Sequence, residues 1–114
     1  MPTVVPVADK AEIFERIRSI FPTLSERGVE RIGLFGSFVR GEQRDESDVD
    51  LLVDFRPHEK TFRNYMDSAD LLEAAFGRRV DFVTRESLSR HFGPYILREV
   101  ENVEIADPIS PAYH

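Results

Sequence analysis

Asp48 and Asp50 stand one residue apart at the head of an apolar run, Leu51-Leu52-Val53, and a third acid, Asp81, interrupts a second run, Val80-Asp81-Phe82-Val83. Carboxylates are poor strand formers, so acids at these positions need a reason other than backbone preference. Along a strand, residues i and i+2 project from one face, which sets Asp48 beside Asp50 while Val49 and Leu51 turn to the other side. Two unpaired carboxylates so placed repel each other, and a divalent cation relieves the repulsion. Hard oxygen ligands favour Mg²⁺, whose shell is commonly completed by waters and substrate phosphates. Asp81 is the natural third ligand if its strand neighbours that of Asp50. A pair of ions held there would activate an attacking oxygen and neutralise a leaving phosphate.

Upstream, Gly36-Ser37 closes another apolar stretch, Val29 to Phe35. Glycine after a strand allows close backbone approach, and Ser37 opens a helical turn whose free N–H groups can hold phosphate oxygens. The Ser37 hydroxyl adds a donor. Arg40, one turn later, is placed either to reach the same phosphates or to pair with the acidic loop that follows. A phosphate cradle beside an acidic metal site implies a nucleoside triphosphate bound as its magnesium complex.

Each feature alone is weak. Glycine after a strand is most often a turn, and an isolated Asp-x-Asp fits a solvated strand entrance. Asp81 could equally face solvent or pair with Arg78 or Arg79. Asp54 shares the parity of Asp48 and Asp50 but lies at the far end, where a solvated strand exit is expected. His58, His91 and His114 are too scattered for a zinc site, and Asp45 to Asp50 lacks the Gly and the later Glu of an EF-hand. The signal lies in the combination.

The elements that must position these groups read as an α/β (α+β) fold, a small mixed sheet flanked by helices. Asp9 can cap a helix over 10–20, with apolar residues at 13, 14, 17, 20 and 21 and Pro22 just past its end. Residues 23–28 read as a turn. Strands are expected over 29–35, 48–55 and 79–83, with a helical turn at 37–40 closed by Gly41 and a charged loop after it. Leu51, Leu52 and Val53 suit a strand covered on both faces. An amphipathic helix spans 61–76 and stops at Gly77. Thr84 can cap a helix reaching Phe92, a further helical piece covers 95–100, and 103–105 makes a short edge strand. Residues 1–8 read as a loose arm and 106–114 as a mobile tail of one 1–114 domain.

The chain has 114 residues with 41% hydrophobic and 32% charged content, which suits one ordinary globular domain. Cysteine is absent, excluding disulfides and thiolate metal sites. The opening MPTVVPVADK has neither the basic region nor the apolar run of a signal peptide, and no stretch has the length of a membrane span. A cytoplasmic location with no membrane partner is the expectation. The net charge of −6 disfavours a grip on long nucleic acid, which relies on basic surface, but allows nucleotide binding through a metal.

Gly36-Ser37, ten intervening residues and Asp48-Val49-Asp50 resemble the signature of the polymerase-β-type nucleotidyltransferases, and within them the minimal nucleotidyltransferases. GSFVRG with SDVDLLVDF, and VDFVT around the third acid, are similar to the same group. The likeness runs from about Val29 to Thr84 and extends weakly through PYILREV. It implies Mg²⁺-dependent transfer of a nucleoside monophosphate from a triphosphate, ATP being the expected substrate, with two ions. Asp48, Asp50 and Asp81 would hold the metals and serve catalysis, with Asp81 also helping the attacking hydroxyl lose its proton. Gly36, Ser37 and Arg40 would bind the nucleotide.

Similar proteins of bacteria and archaea often act as antitoxins to a helical HEPN ribonuclease, adding AMP to a tyrosine or binding it. The resemblance therefore implies a type VII antitoxin that adenylylates a HEPN toxin within a hetero-oligomer. The alternatives are a non-catalytic binding antitoxin and a small-molecule enzyme of the aminoglycoside-modifying type. No extra domain for grasping an acceptor is expected in one 114-residue domain, which favours an acceptor presented by another molecule.

Overall fold

The structure, a computed structural model, describes residues 4–105. Helix α1 spans Lys10–Glu26, and the Asp9 side chain caps it by accepting the Glu12 N–H. The helix runs through Pro22 rather than stopping before it, so the turn expected over 23–28 is confined to its last residues. A proline inside a helix costs about 3 kcal/mol. Continuing the helix buries Leu24 completely beside Ile13 and Ile17, and burying such a side chain returns about 1.5–3 kcal/mol.

Strand β1 (Val29–Phe35) leads through Gly36 into the short helix α2 (Ser37–Arg40), which Gly41 ends in the left-handed conformation. Strand β2 (Val49–Phe55) returns antiparallel to β1, so the acidic spacer is the connection of a β-hairpin. Helix α3 (Phe62–Phe76), capped by Thr61 and closed by Gly77, crosses to β3 (Val80–Val83), which lies parallel to β2. The sheet order is β3-β2-β1-β4, with β4 (Glu101–Asn102) an antiparallel edge on β1.

α1 and α3 share one face of the sheet. Their Ile13, Ile17, Leu24, Leu72 and Phe76 join Ile32, Leu34, Val49, Leu51 and Val53 in one core. Leu51, Leu52 and Val53 are all buried, as a strand covered on both sides requires. The face opposite the helices carries the alternate residues Asp50, Leu52 and Asp54.

Three local expectations are corrected. Thr84 opens only the 3-10 turn Arg85–Ser87, closed as a capping box with Ser87. The residues beyond it, with Phe92 69% exposed, have no apolar face to bury, and short helices depend on such burial. Helix α4 instead occupies Gly93–Glu99. The edge strand forms at 101–102 rather than 103–105. A Cβ on Gly33 would run into Val100, so the bare glycine lets this segment close onto β1, while Val103 is buried and its N–H donates to Ile32 O at 2.9 Å.

The loose arm expected over 1–8 is also corrected where it is described. Val7 is buried and donates to Phe76 O, and Arg16 donates to Val5 O. The expected tail over 106–114 lies outside the described residues.

Candidate active site

The parallel register of β2 and β3 sets Asp50 opposite Asp81, and the hairpin register sets Phe35 opposite Asp50. Gly36, the next residue, therefore comes to rest against the Asp50 carboxylate. A Cβ at position 36 would overlap that carboxylate, and Gly36 takes φ +83°, ψ −153°, a conformation open essentially to glycine. Close approach and backbone conformation together explain why glycine stands here.

Asp50 is the innermost of the three acids: it is half-buried, whereas Asp48 and Asp81 are exposed. Burial pushes the Asp50 carboxyl up to about 6, helped by the charges of Asp81 and Asp48 and by hydrogen-bonding reach to Asp81. The expected three-carboxylate metal group is assembled only in part. No three His, Asp or Glu side chains among the described residues converge tightly enough to hold a metal ion. Asp50 and Asp81 form the close pair, and Asp48, just before the strand, acts on them through its charge. The donor set nonetheless fits Mg²⁺: all oxygen, open to water, and crowded enough that the Asp50 carboxyl is pushed above its ordinary value.

The Gly36–Arg40 turn is already engaged with an anion. Gly36 N–H donates to Glu99 Oε1, and Arg40 Nη1 donates to Glu99 Oε2 at 2.7 Å. Arg40 Nε donates to Glu42 Oε1 at 2.8 Å, the pairing with the acidic loop that the sequence allows. Burial pushes the Glu99 carboxyl up, but the Gly36 N–H and the Arg40 guanidinium outweigh it and hold the group below the ordinary glutamate value. The Ser37 carbonyl accepts the Glu42 N–H. A cleft of about 340 Å³ runs between Gly36, Arg40 and Asp50 on one side and Phe92, Tyr95 and Glu99 on the other. A groove of similar size between α1 and α3, lined by Thr23, Arg27 and Asp67, has no comparable acid pair.

Arg78 fastens the ten-residue spacer. Its Nη1 donates to the carbonyls of Arg44, Asp45 and Ser47, at 3.1, 2.7 and 3.1 Å. Nε donates to Val7 O at 2.7 Å, and the guanidinium lies 5.1 Å from the centre of the Phe38 ring. Asp81 therefore does not take Arg78 as its partner. Arg78→Ala should free the loop that aims Asp48, lowering kcat by about 10-fold to 10²-fold and stability by about 2 kcal/mol. Lysine should recover little, since it lacks the fork. Faster amide exchange at residues 44–48 than in the parent would check the cause.

Sequence reasoning named Arg78 only as a candidate partner of Asp81, and it missed Glu99. A usable signal for Glu99 was the helical spacing of Tyr95, Ile96 and Glu99 on one face of α4. Asp54, expected as a solvated exit, is corrected: its side chain is only 13% exposed and pairs with Arg31 and Arg85, both at 3.0 Å.

The profile of the nucleotidyltransferase domain matches residues 13–105. The chain belongs to the nucleotidyltransferase family. Protein adenylyltransferase MntA of Thermococcus cleftensis is 44% identical over 91 residues, covering 75% of this chain and 91% of that protein. A solved structure described as a minimal nucleotidyltransferase superposes with a TM-score of 0.71 at 32% identity, over 82% of this nucleotidyltransferase and 95% of that chain. A Shewanella oneidensis complex of an AMPylated HEPN toxin with an MNT antitoxin shares the fold, with a TM-score of 0.55 at 18% identity, over 82% and 73% of the two chains. No helix among the described residues of this nucleotidyltransferase is long and apolar enough to cross a membrane.

Proposed function

We propose that this nucleotidyltransferase moves AMP from ATP to a hydroxyl, a tyrosine hydroxyl in the leading reading, of a partner HEPN ribonuclease toxin in the cytoplasm, and acts as a type VII antitoxin. The observation that carries the chemistry is the Asp50–Asp81 pair across parallel strands with Gly36 packed on Asp50. The acceptor rests on the names of the relatives: a protein adenylyltransferase at 44% identity and an AMPylated HEPN toxin bound to an antitoxin of this fold.

Asp48, Asp50 and Asp81 would hold Mg²⁺, two ions in the fullest form, which would neutralise the phosphates and lower the charge barrier to attack. Gly36 N–H, the Ser37 hydroxyl and Arg40 would orient the triphosphate tail. The acceptor oxygen forms a bond to the α-phosphorus while the bond from that phosphorus to the bridging oxygen breaks, and pyrophosphate leaves. Asp81, exposed and opposite Asp50 in the parallel register, would take the hydroxyl proton. Such catalysis is positioning and charge compensation, which a small domain can supply.

Incubation with α-labelled ATP, Mg²⁺ and the HEPN protein encoded beside this chain should label that protein, and Asp48→Ala should abolish the label. An unlabelled partner that Asp48→Ala neutralises as well as the parent does would overturn the reading in favour of a binding antitoxin. Resistance to an aminoglycoside on expression would instead favour a small-molecule acceptor.

A further inference from the structure

We infer that Glu99 is an internal competitor for the triphosphate: its carboxylate holds the donors that would face phosphate oxygens and must leave before the substrate seats. The inference rests on the nucleotidyltransferase reading of the cleft. Both carboxylate oxygens are engaged, Oε1 by the Gly36 N–H and Oε2 by Arg40 Nη1. An anion with two oxygens across a backbone N–H and a guanidinium makes the contacts a phosphate group would make.

The placement is otherwise unfavourable. Gly36 lies against the Asp50 carboxylate, so Glu99 brings a further negative charge to an acid pair. A phosphate entering the same donors would meet the Glu99 charge directly, and the two cannot share the site without repulsion.

The helix that carries Glu99 is built to yield. α4 has only seven residues, and Tyr95 is 67% exposed. It contributes little to the core: Gly93 is its one buried residue, and no α4 side chain joins the apolar cluster that its neighbour Val103 enters. Releasing Glu99 therefore breaks two hydrogen bonds without opening the interior. Because Phe92 and Tyr95 line the same cleft as Glu99, displacement also changes the surface offered to the acceptor. Anion binding and Glu99 docking are then mutually exclusive, and apparent affinity falls by the fraction of molecules in which the latch is closed.

Isothermal titration of the full chain with two probes, MgATP and inorganic tripolyphosphate, separates this inference from the nucleotidyltransferase reading. Glu99→Gln should bind both probes about 10-fold more tightly than the parent, and Glu99→Asp, whose shorter carboxylate reaches the donors poorly, should fall between them. Arg98→Gln, on the same helix but turned to stack on Tyr95, should match the parent and controls for the integrity of α4. Equal or weaker binding by both Glu99 variants would overturn the inference. Tighter tripolyphosphate binding without MgATP binding would sustain the latch while removing the nucleotide reading. Absence of binding of either probe to any variant would overturn both.

Discussion

Asp50→Asn is expected to give a protein more stable than the parent at pH 7 and unable to transfer a nucleotide. The Asp50 carboxyl titrates near 6 in the fold, above its ordinary 3.8, first because it is buried and then because Asp81 and Asp48 face it. An acid whose folded value is raised binds its proton more tightly when folded, so stability falls as pH rises from about 4 through about 6, and the full penalty is present above that range. A shift of that size corresponds to about 3 kcal/mol. The group is half-buried, and solvent screening reduces the expected gain from removing its charge to about 1 kcal/mol. Denaturant unfolding should show the parent losing stability against Asp50→Asn between pH 4 and 7, with the two curves flat relative to each other above pH 7. Label transfer should fall by at least about 10²-fold. A variant that gains nothing at pH 7, or that keeps its activity, would contradict the placement of Asp50 at the centre of the site.

Gly36→Ala should be the most damaging single-methyl substitution in the chain. The ε-region backbone at φ +83°, ψ −153° costs a residue with a side chain roughly 1–3 kcal/mol. The new methyl would also collide with the Asp50 carboxylate, which cannot retreat without leaving Asp81. A loss of about 3 kcal/mol and of transfer activity is the expected result. Gly41→Ala supplies the comparison: it also sits at positive φ, +72°, but a methyl there meets nothing within 4 Å. It should lose only about 1 kcal/mol and keep its activity. Combining Gly36→Ala with Asp50→Ala removes the two closest contacts and leaves only the Cβ at 3.1 Å, so the added penalty should shrink most of the way to the backbone part. Thermal unfolding of the four proteins reads this coupling, and strict additivity would show that the contact does not matter.

The acids and the glycine were legible because each violates a local preference. A carboxylate at the head of a strand and a glycine at a strand exit stand out from their neighbours, and a spacing of ten residues ties them together. The strands and α3 were legible from periodicity and caps, since Thr61 and Gly77 sit where a helix must begin and end. Pro22 misled because tertiary burial of Leu24 offsets much of a local penalty that sequence reading can see. The roles of Arg78 and Glu99 were invisible for a different reason. Arginine and glutamate are ordinary surface residues, and the partners that give these two meaning are backbone groups far along the chain, Gly36 for Glu99 and the carbonyls of 44–47 for Arg78. Asp54 was misread because the arginines that neutralise it arrive from β1 and from the turn after β3.

The hairpin of β1 and β2 carries the Gly36–Arg40 turn at one end of its connection and Asp50 at the other. Closing that hairpin is a short-range event in the chain, with a small loop-closure entropy, whereas Asp81 must be brought in by the full crossover through α3. Cradle and first carboxylates should therefore form in one early folding step and be lost together in one late one, and no partly unfolded species should hold half of them. The third acid marks completion of the fold, so a chain still emerging or damaged beyond α3 would present the Gly36–Arg40 turn without the Asp50–Asp81 pair. For a nucleotidyltransferase, that ordering separates the Gly36–Arg40 turn from the acid pair that completes the site.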